Sequence, residues 1–303
     1  MKPKTFLSVA TSIIAAAVFA AVVCGAGQTP PPSGRRAQPP RSVRLYVFDC
    51  GTLHIADTGR FGLKAEEVAT RDMSVACFLI AHPKGTLIWD TGAVSDTAWK
   101  PTGAAVQQHV VLADSQGRDL TMVKPLKAQL VQLGYSPADV TYVALSHYHW
   151  DHTANANDFA GATWLVRQNE RDEMFSPKPF GAAQPATYAA LRNSKAVIIR
   201  GDEHDVFGDG TVIIKAAPGH TVGHQVLYLK LAKTGGVVLS GDLYHYPEER
   251  TRNRLPTIEF HAEQTRASRV ALDAFLKKTG AQLWIQHDFA GNAQLKKSPG
   301  YYE

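Results

Sequence analysis

The sequence predicts an α/β fold in which two β-sheets are covered by helices, and three observations support this prediction. Of the 303 residues, 45% are hydrophobic and 19% are charged, which is enough apolar content for a large core. Many short runs rich in Val, Ile and Leu are typical of buried strands. Helical patterns separate some of these runs, and no internal repeat is visible. We therefore expect a single folded domain over residues 43–303.

The predicted elements follow one another along this domain. The strand-like runs are residues 43–48, 75–81, 86–89, 141–145, 163–166, 196–199, 211–216, 225–231, 237–239 and 282–285. Two helices are predicted over residues 124–133 and 262–278 because apolar side chains recur there at helical spacing. A glycine follows each of them, Gly134 and Gly280, as is common at the end of a helix.

The charge of the chain is concentrated at its amino-terminal end. Six of the 32 basic side chains and none of the 27 acidic ones lie in residues 1–44, so the remainder carries 26 basic and 27 acidic side chains. A nearly neutral domain argues against a nucleic-acid partner, because such a partner is attracted mainly by clustered positive charge.

Residues 1–26 have the pattern of a secretory signal peptide. Lys2 and Lys4 precede an apolar run at 13–23, which small residues follow. An uncleaved membrane anchor or a lipid on Cys24 stays an alternative. The Pro-rich residues 27–42 are expected to be a linker. We therefore expect a periplasmic or secreted protein with no stable membrane partner beyond the signal segment, and the oligomeric state stays open.

Two cysteines, Cys50 and Cys77, lie within the predicted domain. Each lies in or beside an apolar strand-like run, so buried free thiols are the interpretation we favour. A disulfide is the alternative that an oxidising compartment would allow.

The chemistry-bearing side chains are concentrated directly after the predicted strand at 141–145. Residues 146–152 read Ser-His-Tyr-His-Trp-Asp-His. His147 and His149 alternate on an extended strand end, so they point to the same side and can hold one metal ion. Asp151 and His152 lie on the following turn and can face a second ion. The alternatives are a polar surface turn or a single structural metal.

Further candidate ligands lie at or just beyond the ends of other predicted strands, where sites are commonly built. These are His220, Asp242 and His287. Together with the segment above they make five His and two Asp. Nitrogen and oxygen donors of this kind favour Zn²⁺, and they also admit iron, manganese or cobalt.

The pattern resembles the metallo-β-lactamase superfamily, and its spacing is most similar to the N-acyl homoserine lactonase branch. The resemblance is carried by H-x-H-x-D-H at 147–152, Gly-His-Thr at 219–221, Gly-Asp at 241–242 and the terminal His287. It implies a four-layer αββα sandwich over residues 43–303, with the site along one edge of the two sheets.

The resemblance also implies roles for the site residues. Two divalent cations, most simply Zn²⁺, would be held by two sets of ligands that share one bridging carboxylate. One ion takes His147, His149 and His220, the other takes Asp151, His152 and His287, and Asp242 bridges both. Asp90, in Asp90-Thr91-Gly92, corresponds to a residue that supports the ligands in that branch.

The implied reaction is the hydrolysis of a small-molecule lactone, most similar to the quorum-quenching opening of N-acyl homoserine lactones. A water that bridges two cations becomes hydroxide near neutral pH, and a cation polarises the ester carbonyl. Asp151 or Asp242 would carry the proton. No nucleophilic Ser or Cys and no organic cofactor is expected.

The sequence departs from this branch at one position that affects the mechanism. Such lactonases usually have a tyrosine three residues after the bridging Asp, but here His245 stands there between Tyr244 and Tyr246. Any of the three could donate a hydrogen bond to the carbonyl, or all three could line a wall. We favour Tyr244 because it is nearest Asp242 in sequence and because a phenol does not compete for the metal.

Other functions remain open. A β-lactamase usually has a cysteine where Asp242 stands, and a glyoxalase II-like thioesterase usually adds a basic carboxyl-terminal region. A periplasmic metal-binding protein is the non-enzymatic alternative. Residues 170–191, rich in Pro and aromatic side chains, are expected to form a lid over an acyl chain, with a packed surface loop as the alternative.

The remaining histidines are not expected to bind metal. His224 is predicted to serve packing, and the others are predicted to lie on the surface or in loops: His54, His82, His109, His204 and His261.

Overall fold

The structure, a computed structural model, describes residue 1 and residues 37–98, 105–111 and 117–303. Apart from residue 1, the predicted signal peptide at 1–26 lies outside the described residues, as does most of the predicted linker. Residues 37–42 of that linker form no helix or strand. In the described ranges, no helix combines the length and the hydropathy that a bilayer crossing requires.

The strands of the described residues form two sheets. In chain order they are β1 (Arg44–His54), β2 (Asp72–His82), β3 (Gly85–Trp89), β4 (Val106–Val111), β5 (Gly117–Met122), β6 (Tyr142–Ala144), β7 (Thr163–Arg167), β8 (Ala196–Ile199), β9 (Glu203–Asp205), β10 (Val212–Ala216), β11 (Gln225–Leu231), β12 (Gly235–Leu239) and β13 (Gln282–Trp284). Eight of them form one sheet in the order β4-β5-β1-β2-β3-β6-β7-β8, and five form the other in the order β13-β12-β11-β10-β9.

Among the described residues, the α-helices are fewer than the strands and mostly short. They are α1 (Leu126–Gln132), α2 (Trp150–Thr153), α3 (Gln168–Met174), α4 (Pro247–Thr251), α5 (Ala262–Thr279) and α6 (Phe289–Gln294). The long helix α5 ends at Gly280, whose φ of 68° is the left-handed conformation that glycine adopts readily.

Strand β1 shows why the fold is layered. Leu45 and Val47 pack into a core between the two sheets, together with Val212 and Leu227 of the smaller sheet. The alternate residue Phe48 packs into a second core on the other face of the large sheet. A strand that is buried on both faces needs apolar residues at nearly every position, so it appears as a continuous hydrophobic run.

Helices cover the outer face of each sheet. Leu126 and Leu130 of α1 belong to the core on the outer face of the large sheet. Leu272 of α5 packs with Val226 and Val238 on the outer face of the small sheet. The order is therefore helices, sheet, sheet, helices, which confirms the predicted four-layer αββα sandwich.

All of the predicted strands are present, but the short strand β9 and the hairpin formed by β4 and β5 were not predicted. Leu120 and Met122 are the buried residues of β5, whose other side chains are partly or fully exposed. A short and largely polar hairpin at the edge of a sheet carries a weak hydrophobic pattern, which explains the omission.

Cys50 of β1 and Cys77 of β2 form a disulfide bond in the structure. The two strands are antiparallel neighbours, with Phe48 opposite Cys77. The expectation of free thiols was therefore wrong. Cys50 and Cys77 are both buried, as expected, but their side chains meet across neighbouring strands.

Candidate metal centre

The candidate ligands lie where strands of both sheets end. In the large sheet, β3 and β6 run parallel, so Asp90 and the segment that begins at Ser146 leave the sheet on the same edge. In the small sheet, β12 and β13 also run parallel, and they lead to Asp242 and His287. Because the carboxyl ends of parallel strands meet at one edge, residues far apart in sequence converge there.

The segment after β6 changes from extended to helical backbone within the motif. His149 has extended backbone, with φ −65° and ψ 156°, and directly precedes α2. Asp151 and His152 lie on α2 itself. This change turns His149 and His152 toward different parts of the site.

The side chains form two groups that share Asp242, and the members of each group are buried. The first group consists of His147, His149, His220 and Asp242. The second group consists of Asp151, His152, Asp242 and His287. Within each group the candidate ligand atoms lie within 4.8 Å of one another. The structure therefore brings together all seven side chains that the sequence singled out, in the two sets that the resemblance implied.

The two carboxylate oxygens of Asp242 face different groups. Its Oδ2 lies 3.5 Å from Nε2 of His147 and 3.4 Å from Nε2 of His220. Its Oδ1 lies 3.0 Å from Nε2 of His152 and 3.1 Å from Nε2 of His287. This is the arrangement that a bridging carboxylate requires.

The positions of the donor atoms suit the binding of cations better than hydrogen bonding among themselves. Nε2 of His147 and Oδ1 of Asp242 are buried and make no hydrogen bond within the described part of the chain. Nε2 of His152 lies 3.3 Å from Nε2 of His287, whose Nδ1 is 2.7 Å from the Ser74 carbonyl and donates to it. His287 therefore directs the lone pair of its Nε2 into the second group. The buried Nε2 of His147 and Oδ1 of Asp242 are acceptors of the kind that a cation can satisfy.

For two ligands of the first group, His147 and His149, burial favours the neutral form of histidine that binds metal. Burial, followed by the charge of neighbouring histidines, lowers the pKa of His147 and of His149 well below the usual value. A neutral imidazole offers a lone pair to a metal ion, whereas a protonated one does not.

The Asp90 carboxylate supports the second group through its contact with the ligand His152. Its buried carboxylate accepts hydrogen bonds from the backbone N–H of Ser146 at 2.6 Å and from Nε2 of Gln286 at 2.7 Å. It also lies 2.9 Å from Nδ1 of His152. The φ of Asp90 is 57°, a left-handed conformation that Asp tolerates better than most residues. The position agrees with the support that the resemblance implies.

The first group is supported by acidic residues that no sequence motif marks. Glu259 lies 3.3 Å from Nδ1 of His220. The fully buried Glu170 accepts hydrogen bonds from the backbone N–H of Tyr148 and from the Thr221 hydroxyl, so it joins the two loops that carry ligands of this group. Burial raises the pKa of Glu170 to about 7. No spacing rule identifies a lone Glu in a helix with many charges as buried.

His224 lies behind Asp242 and outside both groups. Its Nδ1 donates to the Ala217 carbonyl at 3.0 Å, and its Nε2 accepts from the backbone N–H of Asp242 at 3.0 Å. The prediction that His224 does not serve as a ligand agrees with this position. Its contact positions the backbone of the shared carboxylate.

The three residues around position 245 point in different directions. The Tyr244 ring is buried in the core under α5, with the Arg269 guanidinium 4.2 Å from its centre. The Tyr246 hydroxyl donates to the Arg71 carbonyl. His245 faces the site, with Nε2 3.2 Å from Oδ2 of Asp242. The preference for Tyr244 is therefore corrected, because its side chain packs into the core and does not line the cavity.

A cavity of about 200 Å³ lies over the two groups. Ligands of both groups, including His149, Asp151 and Asp242, form part of its wall together with His245. Apolar side chains make up much of the remainder: Leu53, Ile55, Phe61, Met73, Trp150, Phe180 and Ile258. An apolar wall beside a few polar groups is typical of a site for a small organic molecule.

Residues 170–191, expected to form a lid or a packed surface loop, divide into two parts. Met174, Tyr188 and Leu191 are buried in the core of the large sheet. Phe180 and Gly181 line the cavity. The middle of the segment thus lines the cavity, as a lid over a bound molecule would, and its two ends pack into the core.

The other histidines lie outside the two groups. His54 and His109 are exposed and pair with Asp72 and Asp119. His261 caps the amino-terminal end of α5. His82 is not on the surface as expected, because its ring is buried and stacks on Phe207 with 4.0 Å between ring centres.

Comparison with known proteins gives a consistent result. The sequence profile of the metallo-beta-lactamase superfamily matches residues 70–283. The N-acyl homoserine lactonase AttM of Azorhizobium caulinodans is 30% identical over 273 residues, which cover 86% of this chain and 99% of AttM.

Solved structures support the same fold. The B. thuringiensis protein AiiA, in a variant with N-decanoyl-L-homoserine at its active site, has a TM-score of 0.71 and 21% identity, and the match covers 88% of this chain and all of AiiA. The dizinc quorum-quenching lactonase AidC has a TM-score of 0.62 and 17% identity, and the match covers 89% of this chain and 96% of AidC. The chain belongs to the metallo-beta-lactamase superfamily and, within it, to the group that contains the N-acyl homoserine lactonases.

Proposed function

We propose that this protein is a dinuclear-metal hydrolase that opens the lactone ring of N-acyl homoserine lactones. The observation that carries the proposal is the position of Asp242, whose two oxygens face two separate groups of buried donors beneath an apolar cavity. The relative AttM, which is named an N-acyl homoserine lactonase, supports the choice of substrate.

In this proposal the first group binds one divalent ion and the second group binds another, with Zn²⁺ as the metal that these nitrogen and oxygen donors favour. Two such ions, when bound, lower the pKa of a shared water and polarise an ester carbonyl. Asp242 fixes the separation of the two groups because it belongs to both. The apolar side chains of the cavity exclude water and accept the acyl part of the substrate.

Asp151 is assigned the transfer of the proton to the leaving alkoxide, together with Asp242. Asp151 lines the cavity, and its side chain is 11% exposed, whereas that of Asp242 is 4% exposed. Both carboxylates border the cavity, and the more exposed Asp151 can reach a bound substrate more readily, whereas Asp242 also holds the ligands of the two groups together.

His245 is assigned the hydrogen bond to the substrate carbonyl. Its ring lines the cavity, and its Nδ1 lies 3.2 Å from Oε1 of the buried Glu249. Glu249 also accepts a hydrogen bond from Arg269. The Glu249 carboxylate therefore orients the His245 ring through its Nδ1. The variant His245→Ala should lose about 100-fold in kcat with two metals still bound, because a hydrogen bond that strengthens in the transition state is lost. Tyr244→Phe is the control and should retain near-parental turnover.

We also propose that the protein is exported and works in the periplasm or outside the cell. The pattern of residues 1–26 supports this location, and so does the Cys50–Cys77 disulfide, since structural disulfides persist in oxidising compartments. Amino-terminal sequencing of protein recovered from the periplasm tests it. An intact Met1 on protein confined to the cytosol would show that the location is wrong.

The substrate is tested with metal-loaded protein and a panel of compounds. The panel contains N-acyl homoserine lactones, β-lactams and glutathione thioesters, and product formation is followed for each. We expect ring opening of the lactones to be fastest. Faster hydrolysis of a β-lactam or a thioester would replace the proposed substrate class, and no turnover of any compound with two metals bound would favour a metal-binding protein.

A further inference from the structure

The Cys50–Cys77 disulfide packs against residues 90–92, which directly follow β3 and which we call the Asp90 loop. Cys50 is 3% exposed, and Cys77 is fully buried. A Cβ added to Gly92, the last residue of the loop, would lie 3.0 Å from Cβ of Cys50 and 3.4 Å from Sγ of Cys77. The loop therefore approaches the disulfide so closely that a side chain at position 92 has no room.

The Asp90 loop also contacts helix α2, which carries the second-group ligand His152. The backbone N–H and the hydroxyl of Thr91 both donate to the His152 carbonyl, at 2.8 and 3.0 Å. The Gly92 carbonyl accepts from the backbone N–H of Ala154, just after α2, at 2.9 Å. Since Asp90 contacts the His152 ring, the loop holds both the backbone and the side chain of this ligand.

The same disulfide joins two strands at a point where their pairing is interrupted. Cys50 lies at a bulge of β1, where the register of β1 with β2 shifts. Cys77 lies on β2, three residues after Ser74. The Ser74 carbonyl accepts from Nδ1 of His287 at 2.7 Å, and the Ser74 N–H donates to the His287 carbonyl at 3.3 Å. The disulfide therefore also fixes the strand that supports a second ligand of the second group.

The supports of the first group come from other elements. Glu170 lies on α3, Gly181 follows that helix, and Glu259 precedes α5. None of these three residues belongs to β1, β2 or the Asp90 loop. One contact does join the two groups, because the backbone N–H of Ser146, directly before His147, donates to Asp90. A change at the disulfide should therefore affect the second group strongly and the first group weakly.

We infer that the Cys50–Cys77 disulfide positions the second group, so that the oxidised protein binds the ion of that group more tightly than the reduced protein does. In the reduced protein each unbonded sulfur needs van der Waals space, which a close-packed interior does not leave free. Gly92 and β2 must then shift, and they carry the contacts to His152 and His287 with them. This inference rests on the metal groups of the proposed function and adds a link between metal binding and the redox state of the compartment.

The test removes the disulfide and measures each group by itself. Cys50→Ala and Cys77→Ala are combined, and zinc affinity is measured by competition with a chelator. The background His149→Ala leaves the second group intact, and the background His287→Ala leaves the first group intact. Loss of the disulfide should lower the affinity of the second group about 10-fold and that of the first group by less than about twofold.

Two matched substitutions separate positioning from general loss of stability. Val47→Ala also removes buried side-chain volume from β1, but on the face between the two sheets, so it should leave the second-group affinity within about twofold of the parental value. Gly92→Ala should lower the second-group affinity with the disulfide intact, because its Cβ meets Cys50. Gly235→Ala is its control, since Gly235 has a φ of 85°, Gly92 has a φ of 84°, and nothing lies within 4 Å of the Cβ added at Gly235.

The redox state itself is tested with both cysteines present, which decides the matter if the double alanine variant fails to fold. Protein with the His149→Ala substitution is produced in a reducing cytosol, and part of it is treated with oxidised glutathione. The two thiols lose two electrons and two protons, and glutathione disulfide takes them up and leaves as two thiols. A thiol assay on denatured protein confirms the change. After glutathione is removed, the oxidised sample should bind zinc about 10-fold more tightly than the reduced one.

The outcomes separate this inference from the proposed function. Equal losses in both groups, equal affinities of the oxidised and reduced samples, or the same loss in Val47→Ala would overturn the inference and leave the proposed function standing. If the parent binds two ions with the expected redox dependence but opens no lactone, the proposed function is wrong and the inference holds. If the second group of the parent binds no ion, both are overturned.

Discussion

The two groups of candidate ligands share Asp242, yet they are held in place by different contacts. In the second group, Nδ1 of His152 lies 2.9 Å from the Asp90 carboxylate, and Nδ1 of His287 lies 2.7 Å from the Ser74 carbonyl. In the first group the corresponding contacts are longer. Nδ1 of His147 lies 3.1 Å from the Ser146 hydroxyl, and Nδ1 of His220 lies 3.3 Å from Glu259.

His149 shows the difference most clearly. Its Nδ1 faces His220, and its Nε2 is buried without a hydrogen bond to any described residue. The backbone of Gly181 packs closely against the ring, since a Cβ added there would lie 2.8 Å from Nε2 of His149. Hydrogen bonds to the far nitrogen of a ligand histidine fix its orientation and raise metal affinity. The comparison therefore predicts that the second group binds its ion more tightly than the first.

The largest effect is expected when the shared ligand is removed. Asp242→Ala takes a donor from both groups, so both ions should bind much more weakly and lactone turnover should fall by about 1,000-fold or more. Metal analysis and a rate measurement check this result. The matched control is Asp209→Ala, a partly exposed carboxylate that belongs to neither group and does not line the cavity. Full activity with two ions in the Asp242 variant would show that the bridge is assigned wrongly.

A smaller effect, confined to the second group, is expected for Asp90→Asn. Asn tolerates the left-handed backbone at this position, so the change mainly removes the charge behind His152. Metal affinity of the second group should fall by about 10- to 100-fold, and that of the first group should change less. Competition with a chelator measures both affinities.

Asp72→Asn is the matched control for this variant. Asp72 also lies 2.9 Å from a histidine, His54, but that pair is largely exposed. Exposed pairs contribute little, so this control should keep parental metal affinity. Equal losses in the two groups of Asp90→Asn would contradict the difference between their supports.

A change to Gly181 tests the packing of the first group. An added Cβ would lie 2.8 Å from Nε2 of His149, and the φ of Gly181 is 71°. Gly181→Ala should therefore displace the His149 ring and weaken the first ion more than the second. Gly208→Ala is a closely matched control, because Gly208 also has a φ of 71° but nothing lies within 4 Å of its added Cβ.

Both glycine variants should lose about 1 kcal/mol of stability through the left-handed backbone. Only Gly181→Ala should also lose metal affinity. If the two variants bind metal equally well, packing against Gly181 does not hold His149.

The smallest expected effect lies outside both groups and concerns pH. Burial lowers the pKa of His82, whose Nδ1 accepts a hydrogen bond from the backbone N–H of Lys84. The folded state therefore favours the neutral ring. Its contribution to stability is present above the unfolded pKa of about 6.5 and is lost as the pH falls below that value.

Unfolding by urea at several pH values measures this dependence. His82→Gln should lose less stability than the parent between pH 7 and pH 5, since it has no proton to gain. His54→Gln, at an exposed histidine, should follow the parent. An unchanged pH dependence in His82→Gln would show that this histidine does not carry the effect.

The sequence predicted the seven clustered side chains well because their spacing is tied to strand ends. It failed for Tyr244, because the direction of that side chain depends on the turn at Gly241–Leu243 that precedes it. Tyr244 has extended backbone, with φ −142° and ψ 136°, so it and His245 point to opposite sides. The turn determines which of these two side chains lines the cavity. The sequence pattern does not specify the geometry of that turn.

The disulfide and the positions of the buried acidic residues could not be predicted from the sequence for a related reason. Whether Cys50 and Cys77 meet depends on strand register, which hydrophobic runs alone do not fix. Glu170 accepts hydrogen bonds from loops that are distant in sequence, so its role follows from tertiary structure.

The most direct test of the account is a metal titration followed by activity. Metal-free protein receives Zn²⁺ in steps, and bound metal and opening of N-decanoyl homoserine lactone are measured at each step. We expect the second group to fill first with little turnover, and full turnover to appear as binding approaches two ions per chain. Full turnover with one ion bound, or with none, would contradict the central claim that Asp242 joins two metal sites into one catalytic centre.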